Sequence, residues 1–104
     1  MFDKLKELML RVCGSVNHRY AAETKPPYIV WNQTNALFQD GDDRSPYIGW
    51  RVAVDYFTIK EYDDTPLKLI SLLQANQIVV SDYVTDYERD TGVTHHALTV
   101  EVYD

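Results

Sequence analysis

The chain has 104 residues, of which 45% are hydrophobic and 25% are charged, values typical of one globular domain with a single core. No apolar run reaches the ~20 residues that span a bilayer, so we expect no membrane contact. The charged first ten residues do not match a secretory signal peptide, so we expect the protein to be made and used in the cytoplasm. The net charge of -6, with Lys and Arg scattered singly, argues against sequence-specific nucleic-acid binding.

An amphipathic helix is predicted over about residues 2–14, and Gly14 is expected to end it. Apolar residues recur there at spacings of three and four, with charged residues between them. These apolar residues are Phe2, Leu5, Met9, Val12, Cys13 and Val16. Cys13 has no second cysteine to pair with, and its apolar neighbours indicate a buried side chain and not a catalytic thiol.

The first predicted strand covers residues 28–34, after a polar segment that closes with two prolines and therefore enters the strand extended. Ile29 and Trp31 are expected to face one side of the sheet, with their neighbours on the other. Residues 35–46 contain turn formers without any periodicity. They are predicted to form one mobile loop.

Residues 47–59 are the best candidate for the central strand. Trp50, Val52 and Val54 share one face of this strand with Tyr56. The opposite face, which includes Arg51, mixes charged with apolar groups. Such a pattern is typical of a sheet that is covered on one side only.

A second helix is predicted over residues 65–77. Thr65 can accept a hydrogen bond from the free amides of the first turn, and Pro66 suits the first helical position. The preceding acids complement the positive end of the helix. Leu69, Ile70 and Leu73 form its buried stripe together with Leu72.

The chain ends in a predicted antiparallel hairpin, with strands over residues 78–87 and 95–103 and a glycine-containing turn between them. The order α-β-β-α-β-β predicts an α+β fold, with one mostly antiparallel sheet and helices packed on one face. All 104 residues are assigned to one domain. The predicted core residues are Leu5, Met9, Trp50, Val52, Val54, Leu69, Ile70 and Leu73.

The loop acids are the nearest approach to a metal site in the sequence. Asp40, Asp42 and Asp43 surround a glycine and could in principle wrap Ca²⁺. A calcium-binding EF-hand loop, however, spreads its ligands over twelve positions and ends with a bidentate Glu, and Arg44 begins a stretch that breaks this pattern. A solvated acidic turn is the favoured interpretation.

The histidines and the remaining carboxylates give no catalytic signature. His95 and His96 are adjacent on a strand, so they point to opposite faces and cannot share one ion. Asp82 and Asp86 share a face, but the sequence shows neither a pocket nor a pKa-shifting neighbour for acid–base work. It also contains no glycine-rich phosphate loop and no nucleophile elbow. We therefore expect no enzyme activity, cofactor or metal.

Eight Tyr, two Trp and three Phe are more aromatic residues than a small core can bury. Tyrosine is favoured where protein surfaces meet. The set therefore indicates a sizeable subunit interface.

In the order of its elements and the residue types within them, the chain resembles the small tail-terminator, or tail-completion, proteins of long-tailed bacteriophages and prophages. The resemblance covers nearly the whole chain. Besides the two helices, it is carried by Pro27-Tyr-Ile-Val-Trp, Phe38-Gln-Asp-Gly-Asp, Arg51-Val-Ala-Val-Asp-Tyr-Phe-Thr, and Thr91-Gly-Val-Thr-His-His before the final strand.

The resemblance implies a homo-oligomer that sits as a hexameric ring on the last ring of the tail tube, stops tube growth and docks the head connector. It places the protein at the head-proximal end of the virion tail, after assembly in the host cytoplasm. An acidic lining would repel the DNA backbone, so the genome would pass without specific binding. The predicted docking loop, which would order on binding, includes Phe38, Asp40, Asp42, Asp43 and Arg44.

Three alternatives stay open at this point. One is a neighbouring adaptor or connector protein of the head–tail joint, which is similar in size. Another is a small enzyme or a ligand- or cation-binding α+β domain, with the acidic loop as a cation site. The third is an antitoxin-like or regulatory protein whose acidic surface meets a basic partner.

Overall fold

A computed structural model describes residues 2–21, 25–38 and 47–103. Its two helices and five strands are α1 (Phe2–Val12), β1 (Val16–His18), β2 (Tyr28–Phe38), β3 (Tyr47–Thr58), α2 (Thr65–Ala75), β4 (Val79–Glu88) and β5 (Val93–Tyr103). The strands form one mixed sheet in the order β1-β2-β3-β5-β4. Only β1 runs parallel to its neighbour; the other pairs are antiparallel. The predicted α+β class is confirmed.

The element order differs from the prediction by one strand, β1. This strand has three residues and pairs in parallel with Ile29–Trp31 of β2, beginning with Val16 opposite Ile29. Val16 was assigned to the apolar stripe of the first helix, which instead ends at Val12. Three residues are too few to show an alternating pattern, so only the neighbouring strand defines β1.

The predicted loop was also placed too early, because β2 continues to Phe38. Asn35 pairs with Arg51 and Phe38 with Tyr47 on β3. A bulge at Thr34 shifts the register, and the Thr34 hydroxyl donates to the backbone oxygen of Arg51 at 3.1 Å. The bulge interrupts the alternation of side chains, which hid the second half of the strand. Residues 39–46, with the remaining part of the predicted loop, lie outside the described residues.

β3 is the central strand of the sheet, as predicted. Val52 and Val54 are buried, and Trp50 is partly buried and packs against the core. On β2, Ile29 and Trp31 are buried on this same face, and β5 contributes a buried row that includes Val100. Buried residues of both helices join this cluster, so both helices cover one face of the sheet.

Both helices present their apolar stripes to that cluster. Leu5 and Met9 of α1 are buried together with Leu8. Of the α2 stripe, Leu69 and Leu73 are buried, whereas Ile70 and Leu72 are partly buried at its margin. Among the described residues, neither helix is long and apolar enough to cross a membrane.

The start of α2 differs in detail from the predicted cap. Asp64 occupies the capping position without a side-chain cap. The carboxylate of Asp63, one residue earlier, accepts from the backbone N–H of Thr65 at 2.9 Å. The helix ends at Ala75, two residues before the predicted end, and Gln77 lies in the left-handed region with φ of 66°. A side chain rarely adopts that conformation inside a helix.

The predicted C-terminal hairpin is confirmed, because β4 pairs with β5 in antiparallel fashion. β4 begins and ends one residue later than predicted, and β5 begins at Val93 instead of His95. Gly92 closes the turn with φ of 72°, and its N–H donates to the oxygen of Glu88 at 2.9 Å. Glycine adopts this backbone conformation without strain.

Candidate functional site

The face of the sheet opposite the helices, here called the outer face, has no helix over it in the described part of the chain. The pairing register brings four strands together there in matched rows. One row joins Tyr28, Phe57, His95 and Asp86; the next joins Val30, Asp55, Ala97 and Val84; a third joins Asn32, Ala53, Thr99 and Asp82. None of these twelve side chains is buried in the described chain.

An aromatic ladder crosses three strands of the outer face. The rings of Tyr28 and Phe57 stack with centroids 4.8 Å apart, and those of Phe57 and His95 stack at 4.5 Å. The carboxylate of Asp55 holds the imidazole of His95 through a 2.7 Å contact to Nε2. Rings that are already packed against one another lose little conformational freedom on binding, so the ladder is suited to contact another protein surface.

Beyond the ladder, the outer face combines apolar side chains such as Val30, Val84 and Ala97 with polar and acidic ones. Arg51 and Glu101 form a 3.6 Å ion pair on neighbouring strands. Asp82 and Asp86 are exposed on β4 at the margin of the sheet. The prediction that these two carboxylates share one face of the strand is therefore confirmed. In the described structure, neither of them lines a pocket.

On the helix side of the sheet, a polar network anchors the loop before α2. The Tyr56 hydroxyl donates to Oδ2 of Asp63 at 2.6 Å, and the Thr65 N–H donates to Oδ1. Burial acts to raise the pKa of Asp63, but these hydrogen bonds outweigh it and hold the pKa well below its usual range. Burial, together with the hydrogen bond to the Asp63 carboxylate, raises the pKa of Tyr56 to about 12.

His96 lies on the same side as this network, opposite His95, as the alternation of the strand requires. Its side chain is only 8% exposed, and its Nδ1 lies 2.8 Å from the Tyr83 hydroxyl. Burial lowers the pKa of His96 below its ordinary value of 6.5, and the negative charge of Asp63 only partly offsets this. The neutral imidazole can accept the Tyr83 proton at Nδ1.

An open cleft of about 570 Å³ lies between the loop before α2 and the β4–β5 turn. Asp63 and His96 line it, and Ile59, Tyr62 and Tyr87 are exposed around it. Asp63 is a poor general base, because both its oxygens accept hydrogen bonds and its pKa is low. The cleft can hold a small polar group, but it does not bring a nucleophile and a base together.

The buried His96 predicts an acid-sensitive step in stability. A histidine whose pKa is lower in the folded than in the unfolded chain favours unfolding once the pH falls below the unfolded value of about 6.5. We expect the free energy of unfolding to decline as the pH falls below about 6.5 and towards the lower pKa of the folded chain. The decline should be smaller in His96→Gln, which keeps an acceptor for Tyr83 but cannot titrate. Urea denaturation at several pH values measures the free energy of unfolding. If it fell equally with pH in the parent and in His96→Gln, His96 would not be the group responsible for the decline.

Of the residues that were expected to dock a partner, the structure describes only Phe38. Phe38 is the last residue of β2 and is 62% exposed. Asp40, Asp42, Asp43 and Arg44 lie outside the described residues. Among the residues that the structure does describe, no group of three or more His, Cys, Asp or Glu side chains could hold a metal ion.

Cys13 is buried, and burial raises the pKa of its thiol. A nucleophilic cysteine needs the opposite, a lowered pKa.

Two features were not found from the sequence: the aromatic ladder and the network around Asp63. For the network, a signal was present. An acid placed two residues before the N-terminal Thr of a helix can bond that residue's free N–H.

No protein-family model matches the chain, and a search of curated proteins finds no match.

Proposed function

We propose that this chain is a structural assembly protein of a long-tailed bacteriophage or prophage. In this role it caps the tail tube as a ring, stops tube growth and forms the docking surface for the head connector. It would act in the host cytoplasm during assembly and remain at the head-proximal end of the virion tail. The proposal rests on the resemblance of the sequence and on the chemistry of the outer face.

The observation that carries the proposal is the outer face with its aromatic ladder. A sheet normally buries one face in its own core, and its second face is either solvated or covered by a partner. Here the uncovered face holds three stacked rings, Tyr28, Phe57 and His95. Large, partly exposed aromatic side chains in a contiguous patch favour a protein contact.

The charge of the chain fits the same role. A net charge of -6 repels nucleic acid, so a ring of such subunits around a passage would let DNA move without sticking. Arg51 on the outer face is paired with Glu101, so it offers no uncompensated positive charge there. The function is therefore proposed as binding and assembly and not as catalysis.

The test is co-expression with the tube protein encoded by the same phage or prophage, followed by negative-stain electron microscopy. We expect a ring at one end of each tube and tubes of limited length, whereas tubes made without this chain should grow to variable lengths. Rings found on the connector but never on tubes would favour a neighbouring adaptor role. Tubes that carry no ring and keep unlimited growth would overturn the proposal.

A second function is favoured by one observation, the cleft beside His96. A small α+β ligand-binding domain would use it, with Tyr62 and Tyr87 at its rim. Light scattering during size-exclusion chromatography distinguishes the two proposed functions. Concentration-dependent assembly favours the ring, whereas a strict monomer that is stabilised by a small molecule favours the binding domain.

A further inference from the structure

Two stretches of strand edge have no neighbouring strand within the described part of the chain. One is the outer side of β4, the last strand of the sheet, here called the β4 edge. The other is the outer side of residues 32–38 of β2, here called the β2 free edge, because β1 covers only Ile29–Trp31. Both present backbone N–H and C=O groups that can pair with another strand.

Neither edge carries the lysine or proline that commonly blocks edge pairing. The β4 edge is long and exposed, with Val84 54% accessible. The β2 free edge contains no charged residue and ends at the exposed Phe38. The register shifts at Thr34 and again between Leu37 and Phe38 on the β2 free edge, and at Ser81 on the β4 edge. Each shift interrupts the row of backbone groups at one place without removing it. Both edges are thus chemically able to accept a strand.

Charge determines which pairing is favourable. Asp82 and Asp86 lie on the outer face of β4, and Glu88 ends the strand. If two copies paired through their β4 edges with their outer faces on the same side, these acids would face each other, and like charges across strands are destabilising. The β2 free edge has no charge to oppose them. The acidic edge is therefore better matched to the uncharged edge than to itself.

We propose that the β4 edge of one copy pairs with the β2 free edge of the next copy, so that the sheet continues from subunit to subunit. Because β2, β3, β5 and β4 alternate in direction, copies related by rotation about an axis along the strands would pair antiparallel. Two different patches on each subunit give a head-to-tail contact, which closes into a ring when the rotation between neighbouring copies divides a full turn evenly. This inference rests on the proposed function and identifies the contact that builds its ring.

Engineered disulfides test the contact directly. Cys13, the only cysteine, is first replaced by Ser. Asn35 is exposed and lies in the same outer-face row as Arg51. Asn35→Cys is then combined in turn with Asp82→Cys, Val84→Cys or Asp86→Cys, which samples three registers of the same face. A disulfide forms only when the two Cα atoms come within about 7 Å.

Mild oxidation of the assembled protein, followed by non-reducing electrophoresis, is expected to give a ladder of covalent multimers from at least one double variant. Each single variant should stay monomeric under the same treatment. Dimers from a β4 variant alone, or from Asn35→Cys alone, would show self-pairing of one edge and overturn the inference. So would rings seen on tubes without a ladder from any double variant, an outcome that leaves the proposed function standing. Tubes without rings would overturn both.

A charge series provides a second measurement without oxidation. Asn35→Glu should raise the concentration at which the purified protein is half assembled, by about two- to fivefold for each contact, and Asn35→Lys should lower it by a similar factor. Circular dichroism melts check that both variants fold. Equal shifts for the two variants, or no shift, would contradict pairing of this edge with the acidic β4.

Discussion

Leu73→Ala is expected to lower the free energy of unfolding by about 2–5 kcal/mol, a large share of the stability of a small domain. Leu73 is fully buried on α2, in the cluster that joins this helix to the sheet. Truncation removes buried apolar surface and leaves a cavity that the surrounding strands can only partly fill. Chemical denaturation monitored by circular dichroism measures the change.

Leu67→Ala is the matched control, because it makes the same truncation on the same helix. Leu67 is 57% exposed, so its removal should cost well under about 1 kcal/mol. Ile70, expected in the core from the sequence, is only partly buried, and Ile70→Ala should fall between the two. If Leu67→Ala and Leu73→Ala destabilised the chain equally, the assignment of the buried face of α2 would be wrong.

The sequence predicted the parts of the fold that carry a strong repeating pattern. In β3, the alternation of Val52 and Val54 with polar residues located the central strand, and the helical spacing of Leu69 and Leu73 located the buried stripe of α2. These patterns are local, because the spacing of apolar residues within one strand or helix indicates which of its faces is buried. They gave the class of the fold and the orientation of its main elements.

Features that depend on distant residues could not be predicted in this way. β1 exists only through its pairing with β2, and residues 35–38 are recognisable as strand only beside β3. The aromatic ladder needs three strands in register, and the Asp55–His95 contact joins residues forty positions apart. Propensity and periodicity report on neighbours in sequence, so such contacts appear only once the topology is known.

The β4 edge, which we propose as an assembly contact, is described by both the local sequence pattern and the order of the strands. The acids of β4 are visible in the sequence, whereas the edge position of β4 follows from the strand order. An acidic strand in the middle of a sheet would interact with its own neighbours. At the edge, the same acids influence which other chains can approach.

Asp63→Asn is expected to destabilise the fold by about 1–3 kcal/mol at neutral pH, because it replaces a charged acceptor by a neutral one. The carboxylate receives hydrogen bonds from the Tyr56 hydroxyl and the Thr65 N–H, and it fixes the loop that leads into α2. Asp64→Asn is the matched control. Asp64 is exposed and only 3.5 Å from Lys68 in a surface ion pair, so its substitution should cost less than about 1 kcal/mol.

The pH dependence of Asp63→Asn separates the lost charge from simple damage to the loop. The pKa of Asp63 is lower in the folded chain than its ordinary value of 3.8, so the carboxylate stabilises the fold above that value, and this contribution is lost as the pH falls through the folded pKa. The parent should therefore lose stability below about pH 4 more steeply than the variant, and the two unfolding free energies should converge in acid. Urea titrations from neutral pH downward measure this convergence. A constant difference at every pH would show that the variant disturbs the loop by its shape and not by the missing charge.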